Sequence, residues 1–503
     1  MPQKIGFLLI LIWATSCSVF NPVPQPKREF RGFWVATVVN IDWPKSGKDS
    51  AEKQKADYLD LLDFYADRSF NAAIVQVRAA GDAFYSSKYA PWSRFLTGQE
   101  GKNQNMELLN WMIDETHKRG MEFHAWLNPY RASFDLNTEI LSPTHDYHLH
   151  PEWMIRYGKK NYYDPGLPEV RKRLVSIMEE LVTHYDIDAI HFDDYFYPYK
   201  VEGEVFQDSL SYNSHHLAGQ SLEEWRRSNV DSLIKNVHLT IKSKKPWVQF
   251  GISPFGVWKN KSTDPKGSDT QAGQTTYDDL YADPLLWMEK GWIDYLVPQV
   301  YWSMDLPVAS HRKIVDWWAR NTNTTNLYIG NGAYKVRNNS DVAWNRKKEL
   351  PNQLKLARKN TRVTGNVLFS AKSLMQKNND IADFIKRRYY QNEALTPISP
   401  LIGTAPENGI SITSFHIDGD VLQFNFPNSQ EYYYLLCYAS GKNAKSEYPM
   451  KKLLAKTYIK DKNQIEIIGQ WVNQNKHIAC TFLDQFGRET DPIVIHLNQT
   501  HQK

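Results

Sequence analysis

Residues 191–198, His-Phe-Asp-Asp-Tyr-Phe-Tyr-Pro, place two adjacent acids directly behind an apolar run, Ile187 to Phe192, and surround them with aromatic rings. A solvated surface accepts paired acids anywhere but rarely encloses them in rings, so the stretch reads as the exit of a buried strand into a functional loop. Its grammar, an apolar run followed by a polar and aromatic tail and then a helical pattern, recurs along the chain. The runs are Gly32–Val39, Ala72–Val77, Glu122–Leu127, Asp188–Phe192, Val248–Ile252, Tyr295–Val300, Leu327–Gly330 and Asn366–Ser370.

Between the runs lie amphipathic helical patterns. One carries Val170, Leu174, Ile177, Met178, Leu181 and Val182 behind Pro168, and another carries Val230, Leu233, Ile234, Val237 and Ile241. Both repeat near 3.6 residues, and proline is tolerated in a first helical turn. Short apolar strands alternating with such helices imply buried parallel strands. Eight of these units predict an α/β fold, a (β/α)8 TIM barrel over residues 28–396. The competing doubly wound sheet lacks support, because no glycine-rich phosphate loop follows the first run.

From residue 397 the texture changes. Val421–Phe426, Tyr432–Tyr438, Gln464–Ile468 and His477–Phe482 alternate or run apolar between Gly, Asn and Asp turns, after a linker holding Pro397, Pro400 and Pro406. Residues 397–503 therefore read as a small all-β sandwich, fibronectin type III-like.

At the other end, Lys4 precedes the apolar run Ile5–Trp13 and then Ala14-Thr15-Ser16-Cys17. This is an export signal too short to span a bilayer, which takes about 20 residues. It resembles the lipoprotein type, with residues 1–17 as signal, Cys17 as the lipidated residue and 18–27 as tether, although Ala14 stands where that signal usually has leucine. The expected location is the bacterial cell envelope, lipid-anchored, with plain secretion as the alternative. Cys437 and Cys480 have no metal-like spacing and read as a buried thiol pair or one disulfide.

The formal charge of +4 is spread without long basic runs, so nucleic-acid binding is not expected. Aromatic residues reach 13%, with 17 Trp and 28 Tyr, which fits a surface that stacks on sugar rings. A monomer acting on a polymeric carbohydrate, with no cofactor and no metal, is the expectation: His145, His148 and His150 lack helical ligand spacing, and His215-His216 are adjacent. No Gly-x-Ser-x-Gly elbow suggests a serine hydrolase.

Strand exits in a barrel converge on one rim, and here every exit is polar or aromatic. Glycoside hydrolysis needs a proton donor and a second carboxylate. Asp194 is the preferred catalytic residue, with Asp193 as its bracing neighbour, because adjacent residues on a strand point to opposite faces. The second carboxylate is then sought elsewhere. Asp305 leads by strand position, ahead of Glu202, Glu204, Asp42 and Asp82. Candidate substrate contacts are Asn128, Tyr130 and Arg131, with Arg78, Trp43, His191, Tyr195, Trp258, Gln299, Tyr301 and Trp302. The bland alternatives are a rim salt bridge for Arg131, a satisfied interior histidine for His191 and plain core for about half of the rings.

The blocks "EFRGFWVATVVNIDWP" (29–44), "HAWLNPYR" (124–131), "HFDDYFYP" (191–198), "GISPFGVWKN" (251–260), "GSDTQAGQTTYDDLYAD" (267–283) and "DYLVPQVYWS" (294–303) resemble the bacterial glycosyl-hydrolase-like family related to family ten glycoside hydrolases. That family includes envelope lipoproteins and a division-site peptidoglycan glycosidase. The likeness runs from Arg28 to about Tyr390 and implies a TIM barrel and cleavage of cell-wall glycan or a related polysaccharide. Chitinase-type barrels carry Asp-x-x-Asp-x-Asp-x-Glu at the fourth strand. The run from Asp188 has His191 and Tyr195 in acid positions of that pattern, so the chitinase mechanism is not implied. A glycan-binding envelope lipoprotein without turnover is the alternative function.

Overall fold

In the computed structural model, which describes residue 23 and residues 25–103, 107–401, 409–439 and 452–497, the apolar runs become eight parallel strands closed into a barrel. They are Phe30–Val35, Ala72–Arg78, Glu122–Leu127, Ala189–Phe192, Gln249–Ile252, Tyr295–Leu296, Asn326–Asn331 and Val363–Leu368, hereafter the first to eighth barrel strands. Each pairs with the next, and the eighth returns to the first, as the TIM-barrel expectation requires. Cys17 and the expected signal segment lie outside the described residues.

Helices cover the outer wall. Pro168–His184 begins on its proline, and Leu222–Lys244 opens with a capping box between Ser221 and Glu224. They bury the apolar stripes seen in the sequence, Leu174, Ile177 and Leu181 on one and Leu233, Val237 and Ile241 on the other. Strands covered on both sides need no polar alternation, which is why the runs look continuously apolar.

Three local departures have physical causes. The first strand stops at Val35 instead of reaching Val39, because the Ala36 N–H goes to Asp42 and the Thr37 and Val38 N–H groups go to Gln76 instead of to a neighbouring strand, after which the chain turns through positive φ at Val39 and Asn40. The sixth strand keeps only Tyr295–Leu296 in its ladder; Pro298 has no N–H to donate, and Gln299 rejoins the sheet by single bridges to Phe255 and Gly330. An antiparallel hairpin, Met154–Tyr157 with Lys160–Tyr163, is inserted after the third strand and was not anticipated.

The barrel interior is filled by rings. Phe30 stacks on Tyr328 with centroids 4.1 Å apart, and the Tyr295 ring crosses over Gly251 to reach His191 and His124. A Cβ at position 251 would lie 1.9 Å from the Tyr295 Cζ, so glycine is what lets that ring cross.

The C-terminal residues form two antiparallel sheets. Ser414–Asp418, Val421–Asn425 and Gln464–Ile468 make one; Leu453–Tyr458, Tyr432–Ala439, His477–Asp484 and Ile493–His496 make the other. Leu422 and Phe424 from the first face Leu435, Cys437 and Phe482 from the second in one apolar core. Cys437 and Cys480 sit opposite each other as free thiols, Sγ to Sγ 3.8 Å.

This unit docks on the barrel floor, at the N-terminal ends of the strands. The Tyr433 hydroxyl donates to Asp186 Oδ1 at 2.5 Å, Lys460 reaches Asp186 Oδ2 at 2.6 Å, and Lys456 reaches the Gly120 carbonyl at 2.8 Å. The segment entering the first strand is fastened to the same place. Lys27 pairs with Glu489 at 2.8 Å, and Arg28 donates to the Thr396 and Gly487 carbonyls at 2.7 and 2.8 Å.

Candidate active site

The opposite face carries a cavity of about 300 Å3, walled by Trp34, Trp126, Tyr195, Tyr199, Tyr301, Tyr334 and Phe369 and reached by Asp193 and Asp194 together. The expectation that adjacency turns the aspartates apart is therefore corrected. The fourth strand ends at Phe192, so the pleat that would alternate them does not extend that far.

Asp193 is held by donors on both oxygens. Asn128 Nδ2 reaches its Oδ2 at 2.5 Å, Trp126 Nε1 reaches the same atom at 3.3 Å, and the Tyr195 backbone N–H reaches Oδ1 at 3.3 Å. The orientation of Asn128 is fixed one step back. Gln76 Oε1 accepts from the Thr37 and Val38 backbone N–H groups, which turns its Nε2 onto Asn128 Oδ1 at 2.8 Å and leaves the Asn128 amide nitrogen for Asp193. Asp194 accepts the hydroxyl proton of Tyr199.

Burial pushes both carboxyls up from the usual range, and the neighbouring Asp194 charge raises Asp193 further. The Arg131 guanidinium opposes this for both, as do the Tyr199 and Gln299 side chains for Asp194. Two adjacent buried carboxylates cannot both ionise cheaply, so the pair retains a proton well above the ordinary carboxylate range. Arg131 lies over the Tyr195 ring at 4.5 Å, on the cavity wall.

Of the other sequence candidates, Asn128, Arg131, Tyr195, Gln299 and Tyr301 reach the cavity. His191 sits beneath it, wholly buried and bonded to Trp34, Ser253 and Tyr295, as the interior alternative held. Arg78 is also behind the wall, its Nη1 bracing the Asn128 and Pro129 carbonyls at 2.8 and 3.3 Å.

Four rings belong elsewhere. Trp43 donates to the Gln54 carbonyl inside the core, Trp258 stacks on Trp317 at 5.6 Å, Tyr130 is buried, and Trp302 packs edge-on against Phe255 outside the cavity lining.

Asp305 is not brought to the site. Its side chain is 78% exposed and pairs with Arg312 at 3.4 Å, in a separate groove shared with Arg346, Lys348, Lys355 and Lys359. The sixth strand's early end at Leu296 leaves a long exit that carries Asp305 outward. Among the described residues lining the cavity, the carboxylates are Asp193 and Asp194.

Sequence reasoning missed Trp34, Gln76 and Trp126 because they lie within strands and read as core; in a barrel, the inward residues nearest the strand ends form the cavity floor. Tyr199 was visible as the next ring after the "YFYP" run. Among the described residues no group of three His, Cys, Asp or Glu gathers as a metal ion would require.

Residues 29–346, which include both aspartates, match the family described as glycosyl hydrolase-like 10. The chain belongs to that family. Among its glycosyl hydrolase-like relatives, glycosyl hydrolase YngK of Bacillus subtilis (strain 168) is 44% identical over 457 residues, 88% of this chain and 89% of that one. Glycosyl hydrolase DigH of Escherichia coli (strain K12) is 39% identical over 368 residues, 69% of this chain and 83% of that one. Among solved structures, the glycoside hydrolase domain of PgaB (BpsB) from Bordetella bronchiseptica is similar with a TM-score of 0.48 and 12% identity, over 72% of this chain and 98% of that domain. The sequence resemblance and the glycosyl hydrolase-like family assignment thus agree.

Proposed function

We propose that this protein is a glycosidase of the bacterial cell envelope that cleaves peptidoglycan glycan strands. The observation that carries the reading is the pair Asp193 and Asp194, buried side by side in one aromatic-walled cavity at the barrel mouth. The proton retained by the pair is shared between the two carboxyls, and in the reaction it passes to the departing glycosidic oxygen from Asp194. Asp193, fixed by Asn128, Trp126 and Tyr195, supplies the negative charge that faces the positive charge developing on the sugar, and a water molecule bonds to the anomeric carbon as the leaving group departs, returning its proton to the Asp194 carboxylate. The rings of Trp34, Trp126 and Tyr301 hold the sugar faces. The signal-like residues 1–17 support attachment through a lipid on Cys17.

Purified protein incubated with peptidoglycan sacculi, amidase-stripped glycan strands and a panel of other polysaccharides should release soluble fragments from the peptidoglycan-derived substrates. Binding to those glycans with no product from any of them would leave a glycan-binding protein and overturn the enzymatic reading. Product from another polysaccharide alone would overturn the substrate.

The Tyr199 hydroxyl favours ionised Asp194, so removing it in Tyr199→Phe raises that carboxyl further. A hydrogen bond to a charged group contributes about 1.5–3 kcal/mol and one pKa unit corresponds to about 1.4 kcal/mol, so the pH–rate profile should move upward by about one to two units. Initial rates measured from about pH 4 to about pH 9, on both sides of the raised carboxyl range, read this directly. A downward or absent shift would detach Tyr199 from the proton-transfer group.

A further inference from the structure

A continuous polar chain runs through the barrel interior from the cavity floor to the opposite end. Trp34 Nε1 lies 3.2 Å from His191 Nε2, His191 Nδ1 lies 3.1 Å from the Tyr295 hydroxyl, that hydroxyl lies 2.7 Å from His124 Nδ1, and His124 Nε2 lies 2.9 Å from Glu122 Oε2. Tyr295 and both histidines are completely buried. The Thr396 hydroxyl fastens the lower end by donating to Glu122 Oε1 at 2.5 Å, where the linker to the sandwich begins.

The donor-only indole at one end and the carboxylate at the other set the proton positions along this chain. The Trp34 indole N–H can only donate, and the Ser253 hydroxyl 3.0 Å from the same nitrogen can donate to it as well, so His191 Nε2 is bare. The neutral ring then carries its proton on Nδ1 and donates to the Tyr295 oxygen. Tyr295 has one proton, which goes to His124 Nδ1. His124 is consequently protonated on Nε2 and donates to the Glu122 carboxylate, an acceptor-only group. Reversing any one bond would leave two donors or two acceptors face to face in a dry interior, which costs on the order of 1–3 kcal/mol.

We infer that Glu122 and Tyr295 are positioning residues for the cavity: by fixing the His191 tautomer they hold the Trp34 indole in the orientation that forms the sugar-binding floor. The inference rests on the glycosidase reading only for its kinetic consequence. Neither residue touches the cavity. Gly251 supports the arrangement by leaving room for the Tyr295 ring to pass over it, and Gly330 supports it at the other end, where a Cβ would meet the Trp34 Cη2 at 3.0 Å.

The test uses the full chain with nitrogen-15-labelled histidine. Long-range proton–nitrogen spectra, with His191→Gln and His124→Gln for assignment, should show His191 protonated on Nδ1 and His124 on Nε2. Two variants separate relay from packing. Tyr295→Phe keeps the ring and removes the hydroxyl. Glu122→Gln keeps an acceptor for His124, whereas Glu122→Leu removes it.

Tyr295→Phe and Glu122→Leu should raise KM for a soluble glycan oligomer on the order of ten-fold, as the loss of one orienting hydrogen bond would, with kcat changed less. Glu122→Gln should retain both the spectrum and KM. A His191 ring protonated on Nε2 in the unmodified protein would overturn the relay whether or not any glycan is cleaved. An unchanged KM in both Tyr295→Phe and Glu122→Leu, in protein that does cleave glycan, would overturn the positioning role.

Discussion

Asp194→Asn should lose glycan cleavage by on the order of 10³-fold, within the range for removal of a general acid or base, while still binding the polymer. The Tyr199 hydroxyl can donate to an amide oxygen as it does to the carboxylate, so the loop keeps its shape and only the transferable proton disappears. Asp193→Asn should also be inactive, with a second defect. Asn128 and Trp126 both donate to one oxygen of Asp193 and Tyr195 donates to the other, so either orientation of the new amide turns its NH2 toward a donor. Weakened binding should therefore accompany the lost turnover. Asp305→Asn is the internal control: exposed and remote from the cavity, it should leave product formation unchanged. Soluble fragments released per unit time and polymer pull-down measure the two quantities separately. Wild-type turnover in Asp194→Asn would remove that residue from the chemistry.

The largest expected effect on stability lies at the other end of the barrel. Glu29, 4% exposed, accepts from Arg31 Nε at 2.7 Å and from Arg358 Nε and Nη2 at 2.6 and 2.5 Å. Arg31 is wholly buried, lies over the Tyr390 ring at 4.3 Å and donates to the Asn392 carbonyl at 2.7 Å. Glu29→Ala strands two guanidinium groups without their shared carboxylate. Breaking a buried pair by removing one partner costs about 3–5 kcal/mol, so the urea midpoint should fall sharply. Glu29→Gln should cost less, because the amide oxygen still accepts one of these bonds. A drop within about 0.5 kcal/mol for Glu29→Ala, the size expected of an ordinary surface change, would show that the cluster contributes nothing net.

What could be read from the sequence follows from what periodicity encodes. The apolar runs and the helical stripes around Leu174 and Val237 report burial, and burial is what closes a barrel, so the architecture is legible in the sequence. Strand ends were less so. Val39 turns through positive φ and Pro298 interrupts the sixth ladder, and both are local backbone events within apolar sequence.

For the site, the "HFDDYFYP" stretch did mark the cavity, together with Asn128, Arg131, Gln299 and Tyr301. Its two acids misled only through the assumption that the pleat continued past Phe192. The rings divided differently from expectation, because a tryptophan in a rim loop has no signature that separates a sugar platform from a core plug. Trp43 and Trp258 turned inward, while Trp34 and Trp126, hidden within strands, face the cavity. Asp305 illustrates the converse: a favourable position in chain order says nothing of where a long exit finally points.

The docking of the sandwich on the barrel floor, beside Lys27 and Arg28, also gives the molecule a front and a back. The chain enters at the back, and the cavity opens at the front. A long polymer lying across the mouth therefore meets neither the sandwich nor the Lys27 and Arg28 contacts.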